Sequence, residues 1–230
     1  MRRRPNLLAG EDRAPEPRQR RSVERHRRLK EAALAMFGKK GYERTTVNDL
    51  ARRARLPIGS FYQHFRSKRH LLLTLMDDLV EQLSRLELRP GDMADPRQGL
   101  GDLLSRAFST DLHYLGAYRA WQEAVLSDAE LARKEFEIRA WTTARVLALF
   151  AYLQRLPGAR TETDLRTLAE LMDAFFWGLL GRAPGMHAAD LQRQIETAGG
   201  VICYALFSDG VKNSPIPQPT AKPPDTLHLK

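Results

Sequence analysis

Residues 45–68 read TTVNDLARRARLPIGSFYQHFRSK and hold the densest set of groups fit for molecular recognition. In a short predicted helix that opens at Pro57, the side chains of Pro57, Ile58, Ser60, Gln63 and His64 point outward. Arg52, Arg53, Arg55, Arg66, Lys68 and Arg69 ring that face. Ser60 and Gln63 are short hydrogen-bonding groups, Ile58 suits a thymine methyl, and Gly59 lets a partner come close. The cations suit phosphate. A helix of this kind meets the requirements of the major groove of double-stranded DNA.

Nothing comparable points to catalysis. The six histidines, His26, His64, His70, His113, His187 and His228, are scattered, and no HExxH, GxSxG, CxxC or phosphate-loop pattern occurs. No catalytic residue, metal ligand set or cofactor is expected. The single cysteine, Cys203, excludes a disulfide framework within the chain; among Val201, Ile202 and Leu206 it reads as a small buried hydrophobe. A second group of candidates lies further on. Arg145 falls at the centre of an apolar stripe with Ile138, Trp141, Leu149, Tyr152 and Leu156, and Asp111 shares a face with Leu100, Leu103, Leu104 and Ala107. Neither charge tolerates burial alone. Either the two pair with each other or reach outward to solvent, or they line a pocket for a small molecule with Phe108, Tyr118, Trp121 and Trp141 as apolar walls. In the pocket reading Arg145 holds an anionic or polar group of the ligand.

The helices that must hold these groups follow from periodicity. Leu29, Ala32, Ala33, Met36 and Phe37 form the buried stripe of a helix over 22–39, with Gly41 as its stop. Val47, Leu50, Ala51 and Ala54 recur at i, i+3, i+4 and i+7, one face of a short helix that Thr45 and Thr46 can cap. Pro57 suits the first turn of the next helix, because its missing N–H would have no partner there. Leu56 and Phe61 pack that helix onto the one before. Ser67 caps a long helix, about 67–88, with Leu72, Leu75, Leu79, Leu83 and Leu86 on one stripe, which joins a head to a body.

Three elements within this region, Ala32-Ala33-x-x-x-Phe37, Gly41-Tyr42-x-x-Thr45-Thr46 and Phe61-Tyr62-x-His64-Phe65, carry a resemblance. With the runs LKEAALAMFGKKGYERTTV and DLARRARLPIGSFYQHFRSK around them, residues 23–79 resemble the N-terminal domain of the tetracycline-repressor-like (TetR) family of bacterial transcription regulators. The resemblance implies a three-helix DNA-binding domain over 22–70, its helix-turn-helix at about 46–66. It implies that Thr46, Tyr62, His64 and Lys68 grip phosphates, while Ile58, Gly59, Ser60 and Gln63 approach base edges. His64 has an alternative, packing on Phe65 and Phe37, and Tyr62 a similar one. The family's turn usually has glycine where this chain has Arg55, a position that favours a left-handed backbone. Arg55 costs about 1 kcal/mol there; either it offers a phosphate contact in return or the turn differs slightly. The resemblance further implies a homodimeric repressor of a palindromic operator, released by a small-molecule effector.

Charge agrees with a head that meets a polyanion. Residues 1–70 hold 20 Lys/Arg against 7 Asp/Glu, whereas 71–230 hold 17 against 21. The arm 1–21, with seven arginines and three prolines, reads as disordered; it either tracks phosphates or contributes nothing. The body, 71–210, is predicted all-helical, with helices at about 97–114, 117–126, 128–156, 163–181 and 188–208 and a loop at Leu115–Gly116, so the fold class is all-α. The helices 163–181 and 188–208 are expected to form the dimer interface as a four-helix bundle, with close packing at Gly199-Gly200; an intramolecular core is the other reading. The tail 211–230 is proline-rich and reads as disordered. No apolar run approaches a membrane span and no signal-peptide core is present, so a cytoplasmic protein without membrane contact is expected. A sequence-indifferent DNA-binding or architectural protein is the alternative function.

Overall fold

The computed structural model describes residues 3–11, 19–88 and 95–207. Among them are nine α-helices: α1 (Arg20–Lys40), α2 (Val47–Arg53), α3 (Ile58–His64), α4 (Lys68–Ser84), α5 (Pro96–His113), α6 (Leu115–Ala124), α7 (Ala129–Leu153), α8 (Leu165–Arg182) and α9 (Ala188–Leu206). One 3-10 turn, Ala183–Gly185, joins the last two. The described residues hold no strand beyond a single isolated bridge between Ala159 and Phe207. The class is all-α.

Capping chemistry explains where the helices start. Thr46 and Asp49 form a reciprocal capping box at α2, and Ser67 accepts the His70 N–H at α4. Asp128 and Asp164 each accept two N–H groups at the starts of α7 and α8. Gly41, with φ 79°, ends α1 in a backbone state that other residues rarely adopt. The expected long helix after Ser67 is shorter than its leucine stripe suggested and ends at Ser84.

The packing divides into two apolar clusters. One joins α1, α2, α3 and α4 through Leu29, Phe37, Leu50, Phe61, Phe65 and Leu72 and extends to Ala117 and Trp121 of α6. The other joins α5, α7, α8 and α9 through Leu104, Phe108, Phe150, Leu179, Ile195 and Ile202. The boundary expected near residue 70 therefore falls in α4, a helix of the first cluster whose far end approaches the second.

Helix α6 docks the head. Gly116, expected in a loop, sits in its first turn, where an added methyl would overlap the Leu34 carbonyl of α1. Arg119 Nη1 donates to the Gly38 carbonyl (2.9 Å), and the Glu123 carboxylate accepts from the Tyr42 N–H (2.7 Å). These three residues lie at i, i+3 and i+7, one face of α6.

The expected disorder of the N-terminal arm is corrected for residues 3–11, which pack as a strap. Leu7 is fully buried in the first cluster. Arg4 bridges Asp77 (2.8 Å) and Glu81 (2.7 Å) on α4, and Lys134 of α7 donates to the Ala9 carbonyl (3.2 Å). A buried leucine and a chelated arginine supply the ordering energy that composition alone did not disclose. Arg2, Arg18 and the proline-rich tail lie outside the described residues.

Candidate functional site

Helix α3 is two turns long, and that decides what it presents. At 100° per residue, Ser60, Phe61 and His64 fall on one side and Ile58, Gly59, Tyr62 and Gln63 on the other. Phe61 is fully buried, so Ser60 and His64 are buried with it. Two residues expected outward therefore face the core, a correction to the predicted base-contacting and phosphate-gripping set. Pro57, Ile58, Gly59, Tyr62 and Gln63 are exposed, Ile58 at 48% and Tyr62 at 56%. An exposed isoleucine and tyrosine beside a glycine with open space at its Cβ make a surface that another molecule can approach closely.

Cations frame this surface unevenly. Arg52, Arg53, Arg55 and Arg66 are exposed. Arg55 holds φ 55°, the one positive value among non-glycine described residues, as its place in the turn required. Arg28 of α1 donates to the Ala54 and Arg55 carbonyls and clasps the turn from behind. Thr46 is exposed, with its hydroxyl engaged in the capping box. Lys68 Nζ donates to the Tyr42 carbonyl (2.7 Å) and lies 4.0 Å from the centre of that ring; desolvation lowers its pKa against the pull of Glu43 and Glu123. Arg69 does not belong to the ring of exposed cations. It is bound by Glu11, Asp128 (2.8 Å) and Glu130 (2.9 Å) and ties the strap to α7.

Behind α3 three histidines surround Phe65. The His26 ring stacks on it at 4.7 Å, His64 meets His26 edge-on at 5.6 Å, and His70 lies 6.0 Å from Phe65. Each Nδ1 is buried without a hydrogen-bond partner among the described residues. Burial, with Lys30 and the other two imidazoles, pushes His26 down to about 4, and burial lowers His64 and His70 as well. Burial thus favours the neutral imidazole at all three, and His64 is buried with its ring against His26.

A cavity of about 240 Å³ opens between α4, α5, α7 and α8. Phe108, Asp111, Tyr118, Trp141 and Arg145 line it, as the pocket reading expected. Trp121 does not: it is fully buried in the first cluster, under α1 and α4, which is a correction. Asp111 and Arg145 do not pair. Arg145 Nη2 donates to the Leu83 (3.3 Å) and Leu86 (2.8 Å) carbonyls at and beyond the last turn of α4, and the guanidinium lies 5.2 Å from the Trp141 ring centre. Burial lowers the Arg145 pKa, with Glu87 opposing. Burial pushes the Asp111 carboxyl up to about 7. Asp173 also lines the cavity and accepts from the Thr142 hydroxyl (2.8 Å); burial raises its pKa while Thr142 and Arg139 oppose. Asp173 and Glu87 were not anticipated. Asp173 follows Met172 in an apolar helix, and its i, i+3 relation to Phe176 is the one signal that pointed to the cavity face.

On α8 and α9, Leu179, Leu191, Ile195, Ala198, Ile202 and Leu206 are buried within the chain, and Gly199 faces Leu104. The opposite faces expose Leu171 (59%), Val201 (51%) and Tyr204 (63%), with open space at Gly178 and Gly200. No helix among the described residues is long and apolar enough to cross a membrane, and no group of three or more His, Cys, Asp or Glu among them is placed to hold a metal.

Comparison with known proteins bears on this geometry. A family model for "Bacterial regulatory proteins, tetR family" matches residues 29–75. The HTH-type transcriptional regulator TtgR of Pseudomonas putida is 32% identical over 164 residues, 66% of this chain and 76% of that protein. The HTH-type transcriptional repressor KstR of Rhodococcus jostii is 36% identical over 66 residues, 29% of this chain and 30% of its own. Among solved structures, SmeT, the repressor of the Stenotrophomonas maltophilia multidrug efflux pump SmeDEF, superposes with a TM-score of 0.60 at 22% identity, covering 86% of this chain and 96% of that one. The SmeT–triclosan complex superposes with a TM-score of 0.64 at 21% identity, covering 86% and 99%. These two structures share the fold.

Proposed function

We propose that this chain, which belongs to the TetR family of bacterial regulatory proteins, is a homodimeric repressor released from a palindromic operator by a small molecule held in the α4–α5–α7–α8 cavity. The observation that carries the reading is the exposed face of α3. It presents Ile58, Gly59, Tyr62 and Gln63 beside four exposed arginines, in the second helix of a helix-turn-helix. In a two-fold dimer, two such faces about 34–36 Å apart meet successive major grooves. Ile58, Gly59 and Gln63 approach base edges there. Thr46, Arg55, Tyr62 and Lys68 position the backbone. The protein acts where its DNA target lies, in the cytoplasm.

Three observations support the remaining parts. The apolar residues exposed on α8 and α9 offer a self-complementary face for the second copy. The cavity abuts α4, and Arg145 joins its lining to the end of that helix. A ligand that binds better when α4 is displaced would shift the population away from the DNA-competent state. SmeT, with the same fold, has been captured with triclosan.

Selection of bound fragments from a random DNA pool by the purified protein tests the proposal. Enrichment of a near-palindrome, preferred over random duplex by about a thousandfold or more, is expected. Retention of all duplexes alike would instead make this a sequence-indifferent DNA-binding protein.

A further inference from the structure

We propose that the cavity takes a lipophilic molecule bearing one basic nitrogen, and that the Asp111 carboxylate accepts the hydrogen bond from that nitrogen. The inference rests on the effector reading above and names the class of effector. Its starting point is an orphan. Among the described residues no hydrogen bond or ion pair reaches the Asp111 carboxyl, although its backbone carbonyl accepts from the Tyr114 N–H (3.0 Å). The walls around it are mostly apolar, with Leu79, Leu104, Phe108, Trp141 and Phe176 among them. A carboxyl in such surroundings loses hydration without gaining a partner, and an incoming N–H that supplied the partner would be held strongly.

The other charged groups exclude the rival classes. The titratable side chains facing the cavity with Asp111 are Glu87 beyond α4, Tyr118 on α6, Arg145 on α7 and Asp173 on α8. Among the described residues three carboxyls, the exposed Glu87 among them, thus stand against one guanidinium, and that guanidinium is already engaged with two carbonyls and the Trp141 face. An anion entering here meets more repulsion than attraction. A neutral hydrocarbon leaves Asp111 as unpaired as before. A lipophilic amine buries its apolar part against the leucines and aromatics and places its ammonium on the Asp111 carboxylate, which no partner reaches among the described residues.

This pairing has a pH signature. Burial pushes Asp111 up to about 7, so the carboxylate that an ammonium needs is lost as pH falls below that value. Amine affinity should be flat above pH 7 and fall toward tenfold per unit below it. A neutral ligand of the same shape should show no such fall.

The full-length protein is titrated calorimetrically with phenylbutylamine, phenylbutanol and phenylbutyrate at about pH 8 and about pH 6. Expected at pH 8 is an affinity for the amine at least about tenfold above that for the alcohol, with the acid weakest. Asp111→Asn should abolish the amine's advantage while alcohol affinity stays within about threefold. Should the variant not fold, the pH dependence of the unsubstituted protein separates the same outcomes. Preference for the acid, equal binding of all three, no binding of any, or an amine preference that survives both Asp111→Asn and acidification overturns the proposal. Asp111-dependent amine binding that leaves operator affinity unchanged would support the assignment of the ligand class and overturn only the effector reading.

Discussion

Arg55 occupies a backbone state that glycine tolerates far better, and its φ of 55° confirms that the α2–α3 turn needs it. The turn is held independently of the side chain, because Arg28 donates to the Ala54 and Arg55 carbonyls. The guanidinium itself is exposed, next to the face that α3 presents. On the phosphate contact proposed for Arg55, stability and DNA affinity oppose each other at this residue. Arg55→Gly should raise stability by up to about 1 kcal/mol, less whatever freedom glycine adds to the unfolded chain. It should also reduce the slope of log affinity against log salt by about 1, the value of one phosphate contact. Thermal melting and operator titration at several salt concentrations check both; a variant that melts lower and keeps its salt slope would mean that Arg55 is structural.

At the scale of elements, α6 is a short helix with two duties. Gly116, Arg119 and Glu123 hold the end of α1 and the loop after it, while Tyr118 lines the cavity and donates to the Trp177 carbonyl (3.3 Å). The close crossing at Gly116 brings two helix backbones together without side chains between them, so any added atom must push α1 and α6 apart. Gly116→Ala gains helix propensity of about 1 kcal/mol, but the overlap with the Leu34 carbonyl is against backbone, which cannot swing away. Overpacking of this kind costs about 1–3 kcal/mol, so the net effect should be destabilising. The strain sits between head and body, so operator affinity should fall as well. Denaturant unfolding and operator binding of the variant measure this; unchanged values in both would show that the joint is more compliant than its geometry.

At the scale of the molecule, the question is what covers α8 and α9. Leu171 on α8 and Val201 and Tyr204 on α9 expose large apolar side chains, and Gly178 and Gly200 leave room for close approach. In the proposed dimer a two-fold axis brings this face of one copy against the same face of the other. Val201→Glu would then place a charge in each half of an apolar interface, while costing the free chain within about 0.5 kcal/mol, since Val201 is half exposed there. The variant should be folded, monomeric by light scattering, and weaker on the operator by at least tenfold. A dimer that survives the substitution would place the interface elsewhere.

Much of this architecture is legible in the amino-acid order alone. The 3.6-residue recurrence of apolar side chains marks the helices, Thr46, Ser67 and Gly41 mark their ends, and the excess of cations in the first 70 residues marks the head. The helix-turn-helix could be read because its geometry is local, written in residues a few positions apart. What only tertiary structure decided depends on partners distant in sequence. Phe61 turned Ser60 and His64 inward because α1 and α4 lie beneath α3. Glu11, Asp128 and Glu130 hold Arg69 away from the exposed cations, and Leu7 and Arg4 pack residues 3–11 against the helices. Asp111 and Arg145 line one cavity yet stay unpaired, because the carbonyls at the end of α4 reach the guanidinium first. Periodicity announces that a face is buried; what it is buried against is set by the packing of helices far apart in the chain, which local spacing does not encode.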